Sequence, residues 1–189
     1  MGPGDARCEG RSVDPPSTTL VPVVAQASGG TPAGYASLLG LALSWPQSAT
    51  LRLRAAEVAP ASPSALRLYT DAVRLHDEGC ALAPAGLGAA LHGRGTARLA
   101  VGASAGARDA VTRAVRTSPD AAPSHYALAA THCRLHAREA CADTLLAALA
   151  ADREGTLAAL AARDPDLASV RDEARVAAAL AGLDTPAAR

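Results

Sequence analysis

Four amino-acid types are missing from this chain altogether: it contains no lysine, isoleucine, asparagine or phenylalanine. Those residues share A/T-rich codons, the imprint expected of a very GC-rich bacterial genome. The 2% aromatic content, with one Trp and three Tyr, therefore reflects coding bias more than any design against stacking platforms. The lack of lysine excludes a Walker-type phosphate loop. Charge of one sign is not in excess either. Basic and acidic residues number 18 each, for a net charge of zero, so no strong field recruits nucleic acid or an anionic membrane surface. No apolar run reaches the ~18 residues of a membrane-spanning helix.

Cysteine is scarce. Cys8, Cys80, Cys133 and Cys141 include no CxxC pair and no spacing that reads as a disulfide framework, so reduced thiols are expected. The first residues lack a basic segment followed by an apolar one, which makes a cytoplasmic location the expectation. The alternative is an anchor at the cell envelope: Cys8, followed by a polar, Pro-rich tether, suits the mature end of a bacterial lipoprotein if the start site is misassigned.

What is present is Ala, Leu and Val in quantity. At 189 residues and 49% hydrophobic, the chain suffices for one domain with a core. Residues 1–31, rich in Pro, Gly and Ser, read as a disordered lead-in or tether. From Pro32 the apolar residues recur at three- and four-residue spacings, punctuated by Pro or Gly. The pattern predicts helices over Pro32–Trp45, Gln47–Ala59, Pro63–Leu82, Leu87–Val101, Ala105–Arg116, Pro123–His136, Arg138–Ala151, Arg153–Ala162 and Asp166–Ala181, with a tail over 184–189. Short loops make successive helices antiparallel neighbours, an all-α arrangement without strands.

Self-comparison at a shift of ~34 residues places Gly95 on Ala129, Val101 on Leu135, Ala107 on Cys141, Val111 on Leu145 and Ala114 on Ala148. Small residues fall on small ones and aliphatics on aliphatics. Where two helices cross closely only a small residue fits, and larger aliphatics fill the flanks.

In these units, Leu91-x-x-Arg94-Gly95-x-x-Arg98 with Ala107-x-x-x-Val111-x-x-Ala114, and His125-x-x-Leu128-Ala129-x-x-His132 with Cys141-x-x-x-Leu145-x-x-Ala148, the chain resembles the tetratricopeptide repeat family. Leu91 replaces that family's usual Trp, and Arg98 its usual Tyr. The run Asp164-Pro165-Asp166-Leu167 through Arg175 is similar to the segment that closes many bacterial tetratricopeptide arrays, with Val176 where that pattern prefers Phe. Asp164 or Asp166 is the expected helix N-cap. The resemblance implies an α-solenoid over 32–183, clearest at 88–121 and 122–152 and capped by 153–183.

Catalytic and metal chemistry find little support in the residues. His132, Cys133, His136 and Cys141 can be imagined around a metal, but HxxxH without a further spaced ligand is common by chance, and Cys133 and Cys141 are expected to be small apolar packers. Gly93-Arg94-Gly95 and Gly102 to Gly106 follow no strand, and are expected as repeat punctuation rather than as phosphate loops. No GxSxG elbow occurs. The neighbouring carboxylates Asp77 and Glu78, or Asp172 and Glu173, point apart on a helix and are expected on the surface. No catalytic residue, cofactor or metal is therefore expected, and the chain reads as a non-catalytic scaffold for another protein or peptide.

In tetratricopeptide proteins the first helix of each pair lines the binding groove. The resemblance thus implies a groove face of His92, Thr96, Leu99, Tyr126, Ala130, Cys133 and Arg134. The Lys/Asn clamp by which some members hold a C-terminal carboxylate cannot form here, which leaves Arg134 as the cation for such a group.

Overall fold

The computed structural model describes residues 14–27, 29–60, 62–80, 82 and 84–183. Among these residues the chain is all-helical, with no strand. The helices are α1 (Ser17–Ala27), α2 (Pro32–Ser44), α3 (Ala49–Glu57), α4 (Ser62–Asp77), α5 (Pro84–Ala100), α6 (Ser104–Thr117), α7 (Ala122–Arg134), α8 (Arg138–Ala151), α9 (Thr156–Ala161), α10 (Ala168–Arg171) and α11 (Ala174–Leu183), with a 3-10 turn at Pro165–Leu167.

Sequence neighbours pack on one another: α3 on α4, α5 on α6, α7 on α8, and between these pairs α4 on α5 and α6 on α7. Alternate helices also touch, α3 against α5 and α5 against α7. Among the described residues, the starts of α2 and α3 carry side-chain caps from their N-cap residues. Thr31 accepts from Gly34 N at 3.1 Å with Pro32 in the first turn, and Ser48 accepts from Leu51 N at 3.1 Å. By contrast, α6, α7 and α8 begin after Ala103, Ala121 and Ala137, which offer no capping oxygen. Burial must hold these three in place, since helix propensity alone is marginal at such lengths.

That burial comes in successive clusters. At the N-terminal end Leu38, Ala42, Leu51, Ala55 and Leu68 form one cluster; Leu53, Val73, Leu87, Ala90 and Leu91 form the next; Ala129, Cys141, Leu145, Ala148, Leu167, Val170 and Val176 form the C-terminal one. With few rings available, close approach replaces bulk. A Cβ on Gly95 would lie 2.1 Å from Val111 Cγ2, and one on Gly93 2.2 Å from the Tyr69 ring. Gly93-Arg94-Gly95 is therefore helix interior shaped by its neighbours.

Three expectations need correction. The lead-in is not featureless: α1 lies inside it, despite Pro22. Proline removes one N–H from the ladder, but Leu20, Val23 and Val24 pack on the cluster of α2 and α3, and Ala27 is buried beneath Gly34. Tertiary burial outweighs the breaker. Residues 1–13 and the tail at 184–189 lie outside the described residues. Second, the helix expected over Asp166–Ala181 is broken at Asp172–Glu173, so that a 3-10 turn and a short helix precede α11. The break lets Leu167, Val170 and Val176 all be buried, which one straight helix would not achieve at spacings of three and six. Third, the thiols are not reduced. Cys133 and Cys141 form a disulfide with a Cα–Cα distance of 5.2 Å, and Cys80 is disulfide-bonded too.

Candidate partner-binding surface

The turns that set the surface repeat in the backbone. Gly102, between α5 and α6, has φ +79°, and His136, between α7 and α8, has φ +59°. After each, the next N–H reaches back to the same place: Ala103 N to Arg98 O at 2.8 Å, and Ala137 N to His132 O at 2.9 Å. Both are left-handed helix endings, for which glycine is favoured and asparagine the usual substitute. In a chain without asparagine, histidine fills the second.

These turns bring the end of α7 against the start of α8, which is why Cys133 and Cys141, eight residues apart, can bond. Neither sulfur is available to a metal, so the site imagined around His132 and His136 loses both thiolates. No group of three or more His, Cys, Asp or Glu placed to hold a metal occurs among the described residues.

The residues expected to line a groove divide into two sets. On α7, Tyr126 is buried and its phenol donates to Asp164 Oδ2 at 2.7 Å. Ala130 is buried, and Cys133, in its disulfide, meets Ser169 Oγ at 3.3 Å. Arg134 donates through Nε to Asp166 Oδ2 at 2.7 Å and through Nη1 to Leu99 O at 2.7 Å. Residues 164–169 thus lie against this face of α7, and its hydrogen-bonding groups are engaged inside the chain. Asp164 also caps the turn by accepting from Asp166 N at 2.9 Å. Burial, and then the bond to Asp164, push the Tyr126 phenol well above the ordinary tyrosine range.

On α5 the picture differs. Leu99 is buried, but His92 and Thr96 are half-buried. Burial holds the His92 imidazole below its ordinary range. Thr96 donates its hydroxyl to Gly93 O at 3.1 Å. With Ala56, Pro60, Ala65, Tyr69 and Ala100 it lines an open groove of about 360 Å³ between the α3–α4 turn and α5. Sequence reasoning missed the α3 and α4 contributions, because no repeat relates them to the later pairs. The signal that could have found them was Gly93, whose missing side chain admits the Tyr69 ring.

The chain matches no protein-family model and no curated protein sequence.

Proposed function

We propose that this chain is a tetratricopeptide-like adaptor: a non-catalytic α-solenoid that holds an extended segment of another protein against α5. The observation that carries this reading is the 34-residue correspondence of α5–α6 with α7–α8. Ala107 and Cys141, Val111 and Leu145, and Ala114 and Ala148 are all fully buried in equivalent places, and the turns at Gly102 and His136 share a backbone shape. Val101 and Leu135 are the exceptions: Val101 is exposed and Leu135 only partly covered. The contacts α3–α5 and α5–α7 support an inner row of first helices.

Because the closing segment engages the α7 face, the partner's place is the uncharged groove beside Thr96 and Ala100. Its walls carry no cation or anion, so it suits small apolar side chains of a bound segment better than a terminal carboxylate. Affinity capture with the purified chain should recover a specific protein that Thr96→Arg and Ala100→Arg no longer retain, with helical circular dichroism unchanged. Recovery of nothing above control, or recovery indifferent to both substitutions, would refute the groove.

A second reading concerns place rather than role. Disulfides persist in oxidising compartments and are uncommon in bacterial cytoplasm. The bonded cysteines therefore favour the cell envelope, with assembly there as the task, over the cytoplasmic expectation. Thiol labelling of the endogenous protein distinguishes the two: protection of Cys133 and Cys141 before reduction supports the envelope, and immediate labelling of both supports the cytoplasm.

A further inference from the structure

Cys133 and Cys141 bond each other, and Cys80 is disulfide-bonded as well. No cysteine among the described residues is free. The chain has four cysteines, so within it the partner of Cys80 can only be Cys8, which lies outside the described residues.

The described residues supply the surroundings of that bond. Cys80 follows the end of α4, where its N–H donates to Leu75 O at 2.9 Å. It is 3% exposed and packs with Leu75 and with Ala49, the first residue of α3. The residues on either side of Ala49 hold the lead-in: Asp14 accepts from Ser48 Oγ through one carboxylate oxygen and from Thr50 Oγ1, at 2.8 Å, through the other. Asp14 is thus fastened at the same helix start that covers Cys80. Six residue steps separate it from Cys8, a reach of up to about 21 Å. A disulfide needs its two Cα atoms within about 7 Å, so a segment anchored at Asp14 is long enough to deliver Cys8 to Cys80.

We infer that Cys8 and Cys80 form the second disulfide of this chain, and that Cys8 is therefore not a site of lipid attachment. The two fates exclude each other at one sulfur. A lipoprotein cysteine carries a thioether to a glyceryl lipid, whereas here the second bond of the Cys8 sulfur goes to Cys80. The assignment rests on the reading that places the chain in an oxidising compartment, and it removes Cys8 as an anchor there. Forming the bond takes two protons and two electrons from the two thiols; a disulfide oxidant of that compartment accepts them and becomes a dithiol. The closed loop encloses α1 to α4.

Peptide mapping of the endogenous protein, alkylated at lysis and digested without reductant, tests this. Because the chain has no lysine, trypsin cleaves only after arginine and sets each cysteine in its own peptide: 8–11, 75–94, 117–134 and 139–153. Peptide 8–11 should be joined to 75–94, and 117–134 to 139–153. Purified Cys80→Ser should take up one maleimide per chain, at Cys8, where the unreduced native chain takes up none. Peptide 8–11 found alkylated or lipid-bearing, with 117–134 still joined to 139–153, overturns this pairing and leaves the oxidising compartment standing. Alkylation of all four peptides overturns both. A disulfide-linked dimer on non-reducing gels, with 75–94 bonded to a second copy, overturns the pairing as well.

Discussion

The Tyr126 phenol donates to Asp164 across 38 residues of sequence, and the same carboxylate, through its other oxygen, accepts from Asp166 N. One acidic side chain thereby caps the closing segment and ties it to α7. Replacing Tyr126 with Phe keeps the ring and removes the tie, at an expected cost of about 1–2 kcal/mol. For a chain of this size that is a fall in Tm of roughly 3–7 °C.

The same residue sets an alkaline limit. Its phenol pKa is raised on folding, first by burial and then by the bond to Asp164, so the folded state favours the protonated form. The contribution is whole below the unfolded value of about 10 and is lost as pH rises beyond it. Thermal melts across that range should fall more steeply for the native chain than for Tyr126→Phe; parallel curves would argue against the bond.

Gly95→Ala should destabilise by about 1–3 kcal/mol, because the new methyl meets Val111 Cγ2 at the α5–α6 crossing. Val111→Ala leaves a cavity of its own, but the double variant should recover part of the loss, giving a favourable coupling in a double-mutant cycle by urea unfolding. Additive losses would mean that the helices had already shifted apart.

The pattern of small and aliphatic residues was legible at Gly95, Ala107 and Val111 because their periodicity is local and each position has one physical demand. Helix α8 falls where its spacing placed it, at Arg138–Ala151. What could not be read is what depends on how a turn or a packed neighbour sets two segments together. Pro22 argues against helix until the burial of Ala27 is known, and Cys133 and Cys141 carry no motif until a turn at His136 brings them together. The contacts of Tyr126 and Arg134 with Asp164 and Asp166 were hidden for a related reason: a ring and a guanidinium that suit a partner suit the chain's own closing segment equally well.

Reduction of the Cys133–Cys141 bond, or Cys133→Ala with Cys141→Ala, removes a constraint over a separation of eight residues. Loop-closure entropy for so short a loop corresponds to about 2–3 kcal/mol. Calorimetry with and without a dithiol reductant should show a fall in Tm of roughly 5–10 °C. The double alanine variant separates this bond from that of Cys80, since reductant should lower its Tm further only through the latter.

Acid should also weaken the fold. Burial lowers the His92 pKa, and burial with the nearby Arg108 charge lowers that of His132. The folded state therefore resists protonation that the unfolded chain accepts. Stability is full above about pH 6.5 and declines as pH falls through the folded values. Melts from about pH 7 to about pH 5 should show the decline, and His92→Leu should flatten part of it. An unchanged slope in that variant would place the effect elsewhere.

The bond between Cys133 and Cys141 also governs how the molecule yields to tension. Pulled from its ends, a row of helices joined to sequence neighbours peels apart, and each freed residue lengthens the chain by about 3.5 Å. The eight steps from Cys133 to Cys141 stay shorted across 5.2 Å, so this bond by itself shortens the fully extended chain by about 23 Å.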